Sequence, residues 1–255
     1  TRLLLEKWND REGVDIREKY GLGGVSRPDL RGLRFVQAGE FYPIHSAQHN
    51  SLWNYAWNYY IRDFGLDPKK ALLINSDEIP LAGGKNYTEV FPDLKIDLTL
   101  RFREARNHLE KLQQQSVFMI DDWCRDYEAR IREVGGIGFF LGSIGPDGHI
   151  AFNTRGTSHY SPTRLTETNF ETQAVTAGDL GGIEVSRNRL VITVGLGTLA
   201  VNPQAKAIVY AAGEAIAEVI RDSVESLPNT MYPATALQKL ENARFYLTRG
   251  AAVKL

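Results

Sequence analysis

Strand-length apolar runs alternate with stretches of helical periodicity along this chain, and that alternation constrains its fold more than any other feature. LRFVQA (33–38), GIGFFLGSI (136–144), RLVITVGLG (189–197), KAIVYAAG (206–213) and RFYLTR (244–249) are continuous apolar runs of strand length. None has the strict two-residue alternation of a half-exposed strand, so they suit a sheet covered on both faces. Between them, Ile120, Trp123, Tyr127, Ile131 and Val134 recur at three- and four-residue spacing, with Asp121 and Asp122 near the start. That pattern predicts an amphipathic helix with acidic residues in its first turn. Ser51 to Phe64 and Ala215 to Ser226 read the same way, the latter stopped by Leu227-Pro228. The expected fold class is α/β: a Rossmann-like three-layer α/β/α sandwich with a mostly parallel sheet, whose ligands bind at the carboxyl ends of the strands. A single domain over 1–255 is expected. Residues 76–118 break the rhythm and are expected to be an insertion, with a turn at Gly83-Gly84 and a charged helix around Arg101 to Gln115.

Charge and cysteine usage narrow the function classes. Thirty Lys plus Arg face 31 Asp plus Glu. No overall field recruits nucleic acid or an anionic membrane, and neither is expected as a partner. The single cysteine, Cys124, excludes an internal disulfide framework and suits a reducing cytoplasm. No apolar stretch approaches the ~20 residues of a membrane span.

Directly after GIGFFLGSI comes GPDGHIAF (145–152), at the carboxyl end of an expected central strand. Gly145 and Gly148 allow close backbone approach or a left-handed turn. A His beside an Asp can titrate near neutral pH while the carboxylate orients it, as acid–base catalysis requires. A plain turn with a structural Asp is the alternative for an isolated DGH.

GSIGPDGHIAFN, the GLGTL downstream and the helix MIDDWCRDYEARI upstream together resemble the glucosamine-6-phosphate deaminase (isomerase) family. The wider superfamily includes 6-phosphogluconolactonases. The resemblance extends through EFYPI (40–44), HNSLWNYAWNYYIRDFGLDPKKALLIN (49–75) and PATALQKLENARFYL (233–247). It implies amino-sugar phosphate metabolism, with aldose–ketose isomerisation and deamination. The ligand would be a small sugar or sugar phosphate, with no cofactor and no metal. A homo-oligomer is left open. Carried over residue by residue, His149 is the ring-opening acid–base group and Asp147 its orienting partner. Gly145, Gly148, Asn153, Thr154, Gly39 and Gly197 fall on substrate-binding positions. His149 is expected in a cleft at the carboxyl edge of the sheet, with Asp147 or Thr154 in hydrogen-bond reach.

The departures are specific. The family's proton-abstracting Asp falls on Gly39, which leaves Glu40 as the neighbouring carboxylate; neighbouring residues on a strand point to opposite faces, so Glu40 needs a distorted turn to substitute. Asp77-Glu78 is a rival match to the family's acidic pair, disfavoured because the 49–75 match fixes Gly39. A second carboxylate that helps hold the His is replaced by Thr154. The family's phosphate-binding loop is expected upstream of TRLLLEKW, its Lys falls on Ile216 and its Arg near Gly178, with Arg187 or Arg189 as substitutes. The resemblance therefore carries two alternatives: a catalytically impaired sugar-binding or regulatory relative, and a sugar-lactone hydrolase, which needs a His to activate water but no base at C2.

Three further features are read as structural. Gly195-Leu196-Gly197-Thr198-Leu199-Ala200 matches a loose dinucleotide fingerprint, but too few residues precede the next strand for a crossover helix. His45 and His49 have no third metal ligand in sequence. Trp53, Trp57, Tyr60 and Phe64 share a helix face and are expected in a core.

Overall fold

A computed structural model of the chain describes residues 6–255. Among the elements described in full, α1 (Arg11–Lys19) is followed by β1 (Phe35–Val36) and β2 (Gly39–Tyr42). Next come α2 (Leu52–Tyr55), which continues as a π-helical turn over Ala56–Arg62, and β3 (Ala71–Leu72). The segment that follows is short 3-10 turns, α3 (Tyr87–Val90) and then the long α4 (His108–Glu133). The second half runs β4 (Phe139–Ser143), β5 (Arg164–Thr166), α5 (Phe170–Leu180), α6 (Ile183–Asn188), β6 (Leu190–Thr193) and α7 (Leu196–Leu199). It closes with β7 (Lys206–Ala211), α8 (Ala217–Glu225) and β8 (Asn242–Leu247). The start of the helix expected from TRLLLEKW lies outside the described residues.

The strands form a β1–β3 pair and a β4–β7–β8 sheet, both parallel, and a β2–β6–β5 sheet that is antiparallel. The architecture is mixed α/β with mostly parallel pairing, as the alternation implies. The antiparallel trio is an addition to it: β5 and β6 are joined through α5 and α6, and β2 pairs with β6 from the far end of the sequence.

Trp53, Trp57, Tyr60 and Phe64 are not in a core: none is buried, and Trp57 is 39% exposed. Two further expectations change. The helix expected around Arg101 to Gln115 starts only at His108, Arg101 closing a separate 3-10 turn, and it is continuous with the amphipathic helix through Ile120 as one element, α4. Asn107 caps it, its side chain accepting from Glu110 N at 2.9 Å, and no Gly or Pro interrupts the next 26 residues. Its buried stripe, Val117, Ile120, Cys124, Tyr127 and Ile131, packs in the main core, and the Tyr127 hydroxyl donates to Gln37 O and Leu72 O, which ties α4 to β1 and β3. The other change concerns the β4–β7–β8 sheet. Phe140, Ala207 and Val209 face the core, but Phe139 and Leu141 are each 57% exposed, and Tyr246 60%. Among the described residues this sheet is covered on one face, and its open face mixes Phe139, Leu141 and Tyr246 with Lys206 and Arg244.

Candidate active site

β4 ends at Ser143, and the chain turns through Gly145–His149, where Gly145 N donates to His149 O and Gly148 N to Gly145 O, each at 3.0 Å. Gly148 takes a left-handed φ of 84°. Gly145 is required for a different reason: a Cβ there would lie 2.0 Å from His149 Cε1, so the imidazole rests where a side chain would stand. The tight turn folds His149 back onto Asp147, and Nδ1 of the ring hydrogen-bonds Asp147 Oδ1.

Asp147 is almost wholly buried, while the His149 side chain keeps 15% of its surface open. The other carboxylate oxygen accepts from Asn169 Nδ2 at 2.5 Å, and the Asp147 carbonyl accepts from Arg155 Nε at 3.2 Å. Burial alone pushes the Asp147 carboxyl up, but the hydrogen bond and charge of His149 outweigh it and hold the group below its usual value. An ionised Asp147 accepting at Nδ1 leaves the lone pair of a neutral imidazole on Nε2, which makes no hydrogen bond among the described residues. That is the tautomer an acid–base group needs.

The following residues are pinned to β6 rather than to β4. Phe152 N donates to Thr193 Oγ1, and Asn153 Nδ2 donates to Ile150 O and Val194 O while its Oδ1 accepts from Arg164. Asn153 is thus a buried brace beneath the loop. Thr154 makes its described hydrogen bond through its carbonyl, to Thr157 N, so Asp147 and not Thr154 holds the ring.

Other sequence-derived positions have structural work. Gly39 pairs with Thr193 in the β2–β6 ladder, and a Cβ there would meet Phe152 Cδ2 at 2.8 Å and Ile192 O at 3.0 Å. Phe152 fills the space that a side chain at position 39 would need. Glu40, expected as a substitute base, is fully buried; Oε1 accepts from Phe41 N and Leu52 N, and Oε2 from Ser51 Oγ and Trp53 N. Three of the four donors, Ser51, Leu52 and Trp53, are at the start of α2 and the fourth is the next residue on β2, so Glu40 is a helix-capping group and does not join the Asp147–His149 pair. Burial pushes its pKa up despite these bonds. Gly197 and Gly195 have no room for a Cβ because the backbone of Tyr160 and Ser161 lies against them, so protein packing accounts for the GLG stretch. Asp77 accepts from Ser46 N and Ser46 Oγ and lies 3.7 Å from His45 Nδ1, in a surface turn.

Asn169 is the participant that sequence reading missed. Its visible signal is that of a helix cap: Oδ1 accepts from Thr172 N at the start of α5, and the same side chain turns its amide to Asp147. No group of three His, Cys, Asp or Glu side chains among the described residues is placed to hold a metal ion. The Cys124 thiol is buried and pushed up to about 12, which makes it a packing group rather than a nucleophile.

No protein-family model matches the chain. Curated relatives do. Glucosamine-6-phosphate deaminase 2 of Xenopus laevis is 35% identical over 136 residues, 52% of this chain and 47% of that protein. Glucosamine-6-phosphate deaminase of Parabacteroides distasonis is 37% identical over 115 residues, 45% of this chain and 42% of that protein. The matched stretch spans about half the length of these relatives. Among solved structures, a monomeric glucosamine-6-phosphate deaminase superposes with a TM-score of 0.66 at 21% identity, over 96% of this chain and 82% of that one. The 6-phosphogluconolactonase of Leishmania guyanensis superposes at 0.55 and 13% identity, over 98% and 80%. Over about half of its length the chain is similar in sequence to glucosamine-6-phosphate deaminases, and its fold is similar to theirs and to that of the 6-phosphogluconolactonases.

Proposed function

We propose that the chain carries the ring-opening part of an amino-sugar phosphate isomerase/deaminase site, with His149 as the acid–base group and Asp147 as the residue that positions it. The hydrogen bond from His149 Nδ1 to a buried, ionised Asp147 is the observation that supports this most directly. In ring opening the anomeric hydroxyl loses its proton, the bond from C1 to the ring oxygen breaks, and the ring oxygen gains a proton. One imidazole nitrogen can take the first proton and return it to the second oxygen. The later transfer between C1 and C2 needs a carboxylate that position 39 lacks and Glu40, occupied with α2, does not replace.

The proposal separates two activities that usually run together. Exchange between the anomers of glucosamine 6-phosphate, followed by NMR saturation transfer, should be accelerated by the protein. His149→Gln should abolish the acceleration, and Asp147→Asn should reduce it, within the roughly 10²–10⁴-fold that positioned proton transfer contributes. Release of ammonia should be very slow. No acceleration of anomer exchange by the intact protein would overturn the reading.

Sugar-lactone hydrolysis is the second reading, favoured by Phe152 filling the space that a side chain at position 39 would need. Hydrolysis of 6-phosphogluconolactone that depends on His149, without anomer exchange, would select it.

A further inference from the structure

The side chain of Asn169 holds two partners of opposite character. Its Oδ1 accepts from Thr172 N at 3.0 Å, which caps α5, and its Nδ2 donates to Asp147 Oδ2 at 2.5 Å. These partners fix the orientation of the amide, because a backbone N–H only donates and an ionised carboxylate only accepts. A flipped amide would lose both bonds. The cap itself is anchored: Ser186 Oγ of α6 donates to Gln173 O and shares a hydrogen bond with Thr176 Oγ1, both at 2.9 Å, which seats α5 on α6.

Asp147 is 2% exposed, so its carboxylate draws its donors from the protein rather than from bulk water. Oδ1 takes His149 Nδ1 and Oδ2 takes Asn169 Nδ2. The Cβ–Cγ torsion of an aspartate is broad and nearly two-fold, so a carboxylate with a single donor swings and offers either oxygen to the ring over a range of angles. Tied at Oδ2, it offers Oδ1 in one direction. The carboxylate also sits against the capped end of α5, where the first-turn N–H groups favour a negative charge. Without Asn169 one buried oxygen loses its donor, and the imidazole is aimed by a group that is itself free to turn.

We propose that Asn169 is a positioning residue for the His149 acid–base group: it locks the Asp147 carboxylate with Oδ1 on Nδ1, and because the same amide caps α5, that aim depends on an intact start of α5. This rests on the ring-opening reading of the pair. Asn169 acts through Asp147 and makes no hydrogen bond to His149 among the described residues.

Asn169→Ser keeps an acceptor for Thr172 N but is too short to reach Asp147 as well, and Asn169→Asp keeps the cap while presenting an acceptor where Asp147 needs a donor. The charged groups that hydrogen-bond Asp147, His149 and Arg155, stay in place. Anomer exchange of glucosamine 6-phosphate by the full chain should fall about tenfold in kcat with Asn169→Ser, the size of one charge-assisted hydrogen bond, with KM unchanged. Asn169→Asp should lose more at neutral pH, and its deficit should narrow on acidification, when a proton shared by the two carboxylates replaces the donor. A second readout needs no turnover: the His149 Nδ1 proton, followed by NMR, should exchange with solvent faster in both variants than in the intact protein. Faster exchange in the variants of a protein that does not accelerate anomer exchange supports the positioning role and overturns the ring-opening reading. Unchanged kcat, pH profile and Nδ1 exchange in folded Asn169→Ser overturn the positioning role and leave the ring-opening reading intact. If thermal melting shows Asn169→Ser unfolded, Asn169→Asp decides, and a deficit that does not narrow on acidification overturns the proposal.

Discussion

The β2–β6–β5 and β4–β7–β8 sheets end in different environments. Every residue of β2 and β6 is buried, whereas β4 buries only Phe140 and leaves Phe139 and Leu141 open. The candidate catalytic turn is continuous with β4 but braced on β6, through Phe152 to Thr193 and Asn153 to Val194. The rigidity of the site is therefore supplied by the sheet that does not carry it. A turn springing from a half-covered sheet is held in place by an antiparallel one buried on both sides.

The largest effect that tests this contrast is on stability. Ile192→Ala, at the centre of β6 and fully buried, should cost about 2–5 kcal/mol in urea unfolding, the range for deleting a packed Ile side chain. Leu141→Ala, on the open face of β4, should fall within about 0.5 kcal/mol of the intact protein. Comparable costs at the two positions would show that the face of β4 is covered in solution and that the contrast is wrong.

A smaller effect concerns the filled position at β2. From sequence alone, Gly39→Asp is expected to restore the base and raise turnover. The packing of Phe152 and Ile192 O against Gly39 reverses that expectation. Alone, Gly39→Asp should destabilise by about 1–3 kcal/mol, as overpacking does, with no gain in ammonia release. Adding Phe152→Ala should recover part of the stability by making room. A rate increase with Gly39→Asp alone would mean that Phe152 yields easily and that β2 is softer than its burial suggests.

What the sequence discloses and what it hides divide along the same line. DGHIAFN is legible because its constraints are local: Gly145 must lack a Cβ for His149 to fold back, and Asp147 lies two residues from the ring it orients. Asn169 is not legible, because its bond to Asp147 closes over 22 residues through α5's cap. The parallel strands show as apolar runs, but so does β6, and an apolar run does not say whether its neighbours run with it or against it. Glu40 reads as a spare carboxylate until the fold brings the start of α2 onto it. The glycines of GLG match a ligand-binding fingerprint, yet the close approach they permit is to the backbone at Tyr160 and Ser161. In each case the missing information is a contact between segments distant in sequence.

The smallest expected effect is a pair of opposite pH dependences in two of the buried carboxylates, Asp147 and Glu40. Asp147 titrates below its usual value in the folded protein, so its interaction with His149 contributes stability above the unfolded carboxylate pKa of roughly 4 and loses it as pH falls through the folded value. Glu40 titrates above its usual value because burial outweighs its four donors, so its contribution is fully present below the unfolded pKa and is lost as pH rises through the folded one. The stability difference between the intact protein and Asp147→Asn should therefore shrink on acidification from pH 7 to pH 3. The difference between the intact protein and Glu40→Gln should grow over the same interval. Urea midpoints at a series of pH values measure both. Parallel profiles for the two substitutions would mean that the four donors around Glu40 dominate its burial, and that the carboxylate at the start of α2 is held as an anion much as Asp147 is.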